Sequence, residues 1–459
     1  MRKKLSVIIA FFYCCAVSAQ PVTVDKWLQQ QVIPLADIRP ENRDFSDLQP
    51  LKKILAGKSI VLLGEEDHVF ATSFEAKVRL IQFLHEEMGF NVLAFEYDLY
   101  NAAMAYESAC QQKNSDILSS NIYPYWGAVK STELLFPYII QTQQTKNPLR
   151  YIGFDCQVIA QFNFPDSLHH YLSALNSRVL NYSYYDDFLK ILKKNWQNPY
   201  AIGGRERLLL FSVIDDIIFE LSLLKNKNQR DLLFERVLIY AKNYWNNIWL
   251  DEPGMYHIMG MPAQPDSIFG FTGDKSSLGP LNRRDQCMAE NIQWIKEHYY
   301  PGEKIIIWAA TEHTMYNRHE LQFTGFVMEE TFPFGSRFKY ASTYKTMGTY
   351  IKSLYGPEVY SLAFTTLGGL VNYDRSGNSA NAYPIMHAEN SIEAFFARLP
   401  SRPGWLDFST AKDLPPALTH PELLSNILTG NPITKGNLSR CVDGILYIPE
   451  MRPLEFIKK

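Results

Sequence analysis

The segment Ile60–Asp98 constrains the fold more than any other stretch of this sequence. It reads IVLLGEEDHVFATSFEAKVRLIQFLHEEMGFNVLAFEYD. An apolar run (Ile60–Leu63) meets Gly64, then Glu65, Glu66, Asp67 and His68; a helical pattern follows; a second apolar run (Val92–Phe95) stops at Glu96. Over Ser73–Met88 the residues Phe74, Val78, Ile81 and Leu84 fall on one helical face, and Gly89 suits the left-handed position that ends a helix. The unit has the length of a βαβ crossover. In an open α/β sheet, ligands bind at the carboxyl ends of the strands. Two strands here release carboxylates and a histidine into that region.

The remaining chain repeats the pattern around a helical interruption. Residues 20–58 form an N-terminal helical approach, with apolar spacing over Asp25–Gln31 and Asp47–Ala56 and breaks at Pro40 and Pro50. A strand is expected at Arg150–Phe154, ending in Asp155. Two long helical patterns, Arg205–Leu224 and Gln229–Trp249, flank the polar turn KNKNQ and read as an antiparallel hairpin. Residues 251–281 are rich in Gly, Pro and Met and read as a long loop, either a lid or a connector. A helix over Arg284–His298 and a buried strand over Lys304–Ala309 then deliver Thr311, Glu312 and His313. A helix over Thr346–Tyr355 and strands at Val359–Thr365 and Val442–Ile448 complete the chain. The expectation is an α/β fold: a mainly parallel central sheet flanked by helices, one domain over 20–459, with a helical hairpin inserted at about 165–280.

Residues 1–19 read as a secretory signal. Arg2, Lys3 and Lys4 precede the apolar stretch Leu5–Val17, and Val17-Ser18-Ala19 offers small residues for cleavage after Ala19. That implies export, to the periplasm or outside the cell, and no stable membrane insertion after cleavage, because no later segment is long and apolar enough to span a bilayer. The formal charge of −3 and the lack of a basic stripe argue against nucleic acid as the main partner. Cys110, Cys156, Cys287 and Cys441 form no C-x-x-C pair, so a zinc ribbon or thioredoxin-type site is unsupported; oxidised pairs and buried thiols both stay open. Walker A, G-x-G-x-x-G, H-E-x-x-H and G-x-S-x-G patterns are absent, which disfavours nucleotide-driven chemistry and an elbow-type serine triad.

The candidate chemistry sits at the strand ends. Glu65 beside His68 can orient an imidazole and raise its basicity, as a general base near neutral pH requires; the bland alternative is a hydrogen-bonded loop histidine. Glu96, followed by Asp98, is a partner for Glu65 if their strands are parallel neighbours; the bland alternatives are a helix N-cap or a salt bridge to Arg79. His313 is a third polar delivery to the same edge if its strand is parallel to the others. Glu65, His68, Glu96 and His313 could in principle bind a transition metal, but no zinc-protease pattern supports it.

These residues fall into a known order. GEEDH (Gly64–His68) resembles the Gly-Glu-x-x-His element of the erythromycin esterase family. Glu75 and Arg79 fit the helix after it, EEMGFNVLAFE (Glu86–Glu96) its Glu-x-Gly-Phe…Glu stretch, and Trp126 with Glu133 a Trp…Glu pair. GFDCQ (Gly153–Gln157), RDQCMAENIQWI (Arg284–Ile295) and MGTYIKSLYG (Met347–Gly356) continue the match over most of the chain. The resemblance implies hydrolysis of a small-molecule ester or lactone, best known for a macrolide, without a serine nucleophile, cofactor or metal. It makes His68 the base that activates water and Glu65 its partner, with His313 catalytic and Glu96, Arg284, Glu75 and Asp155 lining the substrate site. One departure stands out. Family esterases commonly show Trp-Ala-His-Asn-x-His where this chain has WAATEH, Trp308–His313, so Ala310 and Thr311 replace the first His and the Asn. Beside the His68 hydrolase, that loss motivates an alternative, an exported binding protein that keeps the cleft without the chemistry; a metal-dependent hydrolase built on Glu65, His68, Glu96 and His313 is a third reading.

Overall fold

The computed structural model describes residues 23–258, 279–326, 345–372, 382–425 and 432–457. An eight-stranded sheet runs through its centre. The strands are β1 (Ile33–Pro34), β2 (Ile60–Glu65), β3 (Phe90–Asp98), β4 (Arg150–Asp155), β5 (Lys304–Ala310), β6 (Val359–Thr366), β7 (Gly404–Asp407) and β8 (Gly444–Ile448). Their order is β1-β7-β8-β6-β2-β5-β3-β4. The six strands from β8 to β4 are parallel, while β7 pairs antiparallel with β8 and β1 antiparallel with β7. A parallel sheet covered on both faces needs apolar residues on both faces, which is why Ile60–Leu63 reads as an unbroken run. Val61 and Leu63 enter one core with Phe74, Phe95 and Trp308, beneath the helix Ala71–Met88. Ile60 and Leu62 enter the opposite core with Ile307 and Met288, beneath the helices Leu99–Gln112 and Gly279–Trp294.

The expected βαβ unit is present: the helix Ala71–Met88 follows β2 and ends at Gly89, whose φ of 70° is left-handed. Its two strands are not neighbours, however. β5, more than 200 residues later in the chain, lies between them and pairs Glu65 with Ala310 on one side and Phe95 with Trp308 on the other. Glu96 and Glu65 are therefore not on neighbouring strands, as one expectation had it, but are separated by β5.

The hairpin helices span Gly204–Ser222 and Gln229–Ile258. They pack antiparallel, with Asp215 meeting Lys242 and the Phe211 ring meeting Trp249. The second helix continues through residues 251–258, where Pro and Gly predicted loop; local propensity is a weak prior against an established helix. Residues 279–281, also expected as loop, open the helix Gly279–Trp294, while 259–278 and the expected signal (1–19) lie outside the described residues. Among the described residues no helix is long and apolar enough to cross a membrane. Cys110, Cys156, Cys287 and Cys441 are all free thiols.

Candidate functional site

Because β2, β5, β3 and β4 run parallel and side by side, their carboxyl ends deliver side chains to one edge. Glu65 closes β2 and is fully buried. Its Oε1 lies 2.8 Å from His68 Nδ1 and accepts the Trp126 indole N–H at 3.1 Å. Its Oε2 takes the Lys77 ammonium. Lys77 also donates to the Ala309 carbonyl at 3.1 Å and sits 4.5 Å from the centre of the Trp308 ring. Burial pulls the Lys77 ammonium below its usual range, and Glu65 opposes that pull. The carboxylate assigns the His68 tautomer: Nδ1–H donates to Glu65, so Nε2, bonded to no described residue, carries the free lone pair.

Glu96, near the end of β3, joins this group to a second one. Its Oε2 accepts the Ala310 N–H at 3.1 Å and its Oε1 accepts from Arg284 Nη2 at 3.0 Å. Burial raises the Glu96 carboxyl, but the charges of His313, His68 and Arg284 overcome that and hold it at about 2. Arg284 donates two further bonds to Asp155 at the end of β4, at 3.2 and 2.7 Å. His313, on the helical turn Thr311–Thr314 after β5, directs Nδ1 to Asp285 at 2.8 Å. Its Nε2 stands 3.2 Å from Arg284 Nη1 and 3.5 Å from Glu96 Oε1. The neutral ring accepts from Arg284; the charged ring donates toward Glu96. Burial disfavours the charged ring, yet Asp285 and Glu96 hold it protonated up to about 9. Asp285 also accepts the Met347 N–H at 2.8 Å, tying the helix Met347–Tyr355 to the site.

Six of the seven residues expected from sequence converge here: Glu65, His68, Glu96, Asp155, Arg284 and His313. Glu75 does not. It pairs with Arg452, and it lies two residues from both Ser73 and Lys77, roughly 200° around the helix from the inward face. Arg79, the other partner considered for Glu96, instead bonds Asp47 and the carbonyls of Asp37, Asn42 and Asp44. Sequence reasoning assigned no role to Lys77, Tyr125 or Asp285. A signal for Lys77 exists: with Phe74, Val78 and Ile81 it occupies the i, i+3, i+4, i+7 stripe that packs on the sheet.

Comparisons with known proteins point to the same family as the sequence motifs. A family model described as erythromycin esterase matches residues 265–451. The putative hydrolase YbfO of Bacillus subtilis (strain 168) is 25% identical over 330 residues, 68% of this chain and 69% of that protein. Erythromycin esterase type II of Escherichia coli is 23% identical over 377 residues, 78% of this chain and 79% of that protein. Among solved structures, a mutant of erythromycin esterase EreC in its open conformation superposes with a TM-score of 0.59 at 15% identity, covering 90% of this chain and 96% of that one. The chain is erythromycin esterase-like. A Bacillus cereus protein of known crystal structure shares the fold more closely, with a TM-score of 0.72 at 19% identity over 95% of this chain and 98% of that one.

Within this site the departure at 310 is structurally central. Ala310 pairs with Glu65 across β2 and β5, donates its N–H to Glu96, and is half-exposed. An alanine there offers only a methyl group, so position 310 brings neither a proton carrier nor a side-chain donor to the edge. Among the described residues no three His, Cys, Asp or Glu side chains are grouped to hold a metal ion. The donor set explains why: Glu65 is already paired with Lys77 and Glu96 with Arg284, so a metal would have to displace a cation of the chain.

Proposed function

We propose that this chain hydrolyses a small-molecule ester or lactone with water activated by His68. The observation that carries the reading is the Glu65–His68 contact at 2.8 Å, which fixes the ring with Nε2 as the acceptor. Nε2 removes a proton from water, and the oxygen attacks the substrate carbonyl carbon. The oxyanion that forms needs donors in a site of low dielectric. His313, held protonated by Asp285 and Glu96, and Arg284 supply positive charge next to Glu96. The alkoxide leaves as the tetrahedral centre collapses and takes up the proton that His68 gained. Asp155 holds the Arg284 guanidinium in place. The relatives named hydrolase and esterase support the reaction class. Export after cleavage at Ala19 belongs to the same proposal.

The test is release of acid from activated esters and a macrolide lactone by the purified protein. His68→Ala should lower kcat by about 10²–10⁴-fold, the span typical of a general base. Undiminished turnover in that variant overturns the mechanism. Ala310 favours a second reading, a binding protein with the same cleft. Ligand-induced thermal stabilisation without any turnover would select it.

A further inference from the structure

We infer that Tyr125, backed by Tyr123, is a positioning residue for His68: the stacked rings fix the plane of the imidazole and stabilise it when it takes a proton. The inference rests on the proposed role of His68 as base.

A single bond from Nδ1 to Glu65 locates one corner of the ring but leaves it free to swing about that contact. The His68 ring lies parallel to the Tyr125 ring, 5.2 Å between centres and 4° between planes. Tyr125 in turn stacks on Tyr123 at 5.2 Å and 13°. The column ends against the buried Tyr97, whose ring meets Tyr123 edge-on at 5.2 Å and 89°. Trp126 closes the side, 4.6 Å from His68 and 4.8 Å from Tyr125, both edge-to-face. Tyr123 and Tyr125 bracket Pro124, which opens the short helix Pro124–Gly127, so the stack is built on one rigid turn. A tyrosine face is electron-rich and attracts a cation laid over it. An imidazole that becomes imidazolium during the reaction gains that attraction only in its charged form.

Other charges also surround His68: Glu65 at the end of β2, itself paired with Lys77 from the helix Ala71–Met88, Glu66 and Asp67 next to it in the chain, with Asp67 accepting the His68 backbone N–H, and Glu96 from β3. All are retained when Tyr125 is altered, so a change can be assigned to the column.

The experiment compares Tyr125→Leu and Tyr125→Phe with the unaltered full chain. Two quantities are read: the NMR titration of the His68 ring protons, assigned by their loss in His68→Asn, and kcat and KM on an activated ester. Tyr125→Leu should move the ring titration to lower pH by about half a unit. It should lower kcat by about tenfold and leave KM within about twofold. Tyr125→Phe, which keeps the ring face, should restore both. An unmoved titration in Tyr125→Leu, or a Phe variant that behaves like Leu, overturns the proposal. If Tyr125→Leu does not fold, Tyr123→Leu removes only the backing ring and should give a smaller shift in the same direction; no shift there also overturns it. If the unaltered chain cleaves no ester, the base reading has failed, and the ring titration alone judges the column.

Discussion

Lys77 sets the charge balance of the site and is the residue the sequence hid best. A lysine on an apolar stripe is normally a long side chain reaching for water, but this one is fully buried against Trp308 with its ammonium on Glu65. Breaking a buried ion pair costs far more than removing it whole, because a lone charge stays behind. Glu65→Gln should therefore destabilise the fold by about 3–5 kcal/mol, and the double variant Glu65→Gln/Lys77→Met should recover much of that loss. Urea unfolding of these two variants, of Lys77→Met alone and of the unaltered chain measures this; strictly additive effects would show that the pair is not coupled. Glu65, His68, Glu96, Asp155, Arg284 and His313 were legible because each lies at or close after the end of an apolar run or inside a specific motif. Lys77 was not, since its partner lies at the end of a strand and nothing local distinguishes a paired lysine from a solvated one. Tyr125 was missed for the same reason, since stacking is set by tertiary contacts; Asp285 lies inside the motif that marked Arg284, but its pairing with His313 is tertiary and gave it no role in the sequence.

At the scale of elements, strand identity was readable and strand order was not. The runs that became β2, β3, β4, β5, β6 and β8 all show in the hydropathy of the sequence, with ends displaced by a few residues. That β5 enters between β2 and β3 follows from how the later crossovers pack, which no local period encodes. This order has one close steric consequence. Gly64, paired with Ala309 and flanked by the turn Thr311–Thr314, has no room for a side chain. A Cβ there would stand 2.5 Å from Thr314 Oγ1, 2.7 Å from Thr311 Oγ1 and 2.9 Å from the Thr311 Cα. The backbone contact cannot be relieved by a rotamer change, so the turn that carries His313 must move. Gly64→Ala is expected to lower kcat by about 10²-fold, as a displacement near 1 Å can, while circular dichroism still shows the α/β fold. Full activity in Gly64→Ala would mean that the His313 turn does not need its observed position.

The whole molecule carries several buried groups whose proton affinity differs between folded and unfolded chain, and most of them act in one direction. His313 keeps its proton up to about 9 when folded, against 6.5 in its ordinary state. Its stabilisation is complete below the lower value and lost as pH rises through the upper one. Glu66 is buried with Oε1 on the Ser73 hydroxyl and Oε2 without a hydrogen-bond partner among the described residues; burial raises its carboxyl from 4.5 to about 8. Asp98, beside Asn101 and Tyr240, is raised by burial from 3.8 to about 7. For all three the folded state binds protons more tightly, so stability falls as pH rises. Glu96 runs the other way: depressed from 4.5 to about 2, it stabilises above the higher value and its contribution is lost as pH falls toward the lower one. The stability maximum therefore belongs on the acid side of neutrality, with a decline on the order of a few kcal/mol between pH 6 and 9. Denaturant unfolding across that range reads the slope, and Glu66→Gln isolates one contributor. The amide keeps an acceptor for Ser73 and removes the ionisation, so variant and unaltered chain should be closest below the ordinary glutamate range and diverge toward pH 9, with the variant the more stable. A constant difference between them at every pH would place the alkaline loss on His313 and Asp98 instead, and the same measurement on Asp98→Asn then separates those two, because it removes the Asp98 ionisation and leaves His313 intact.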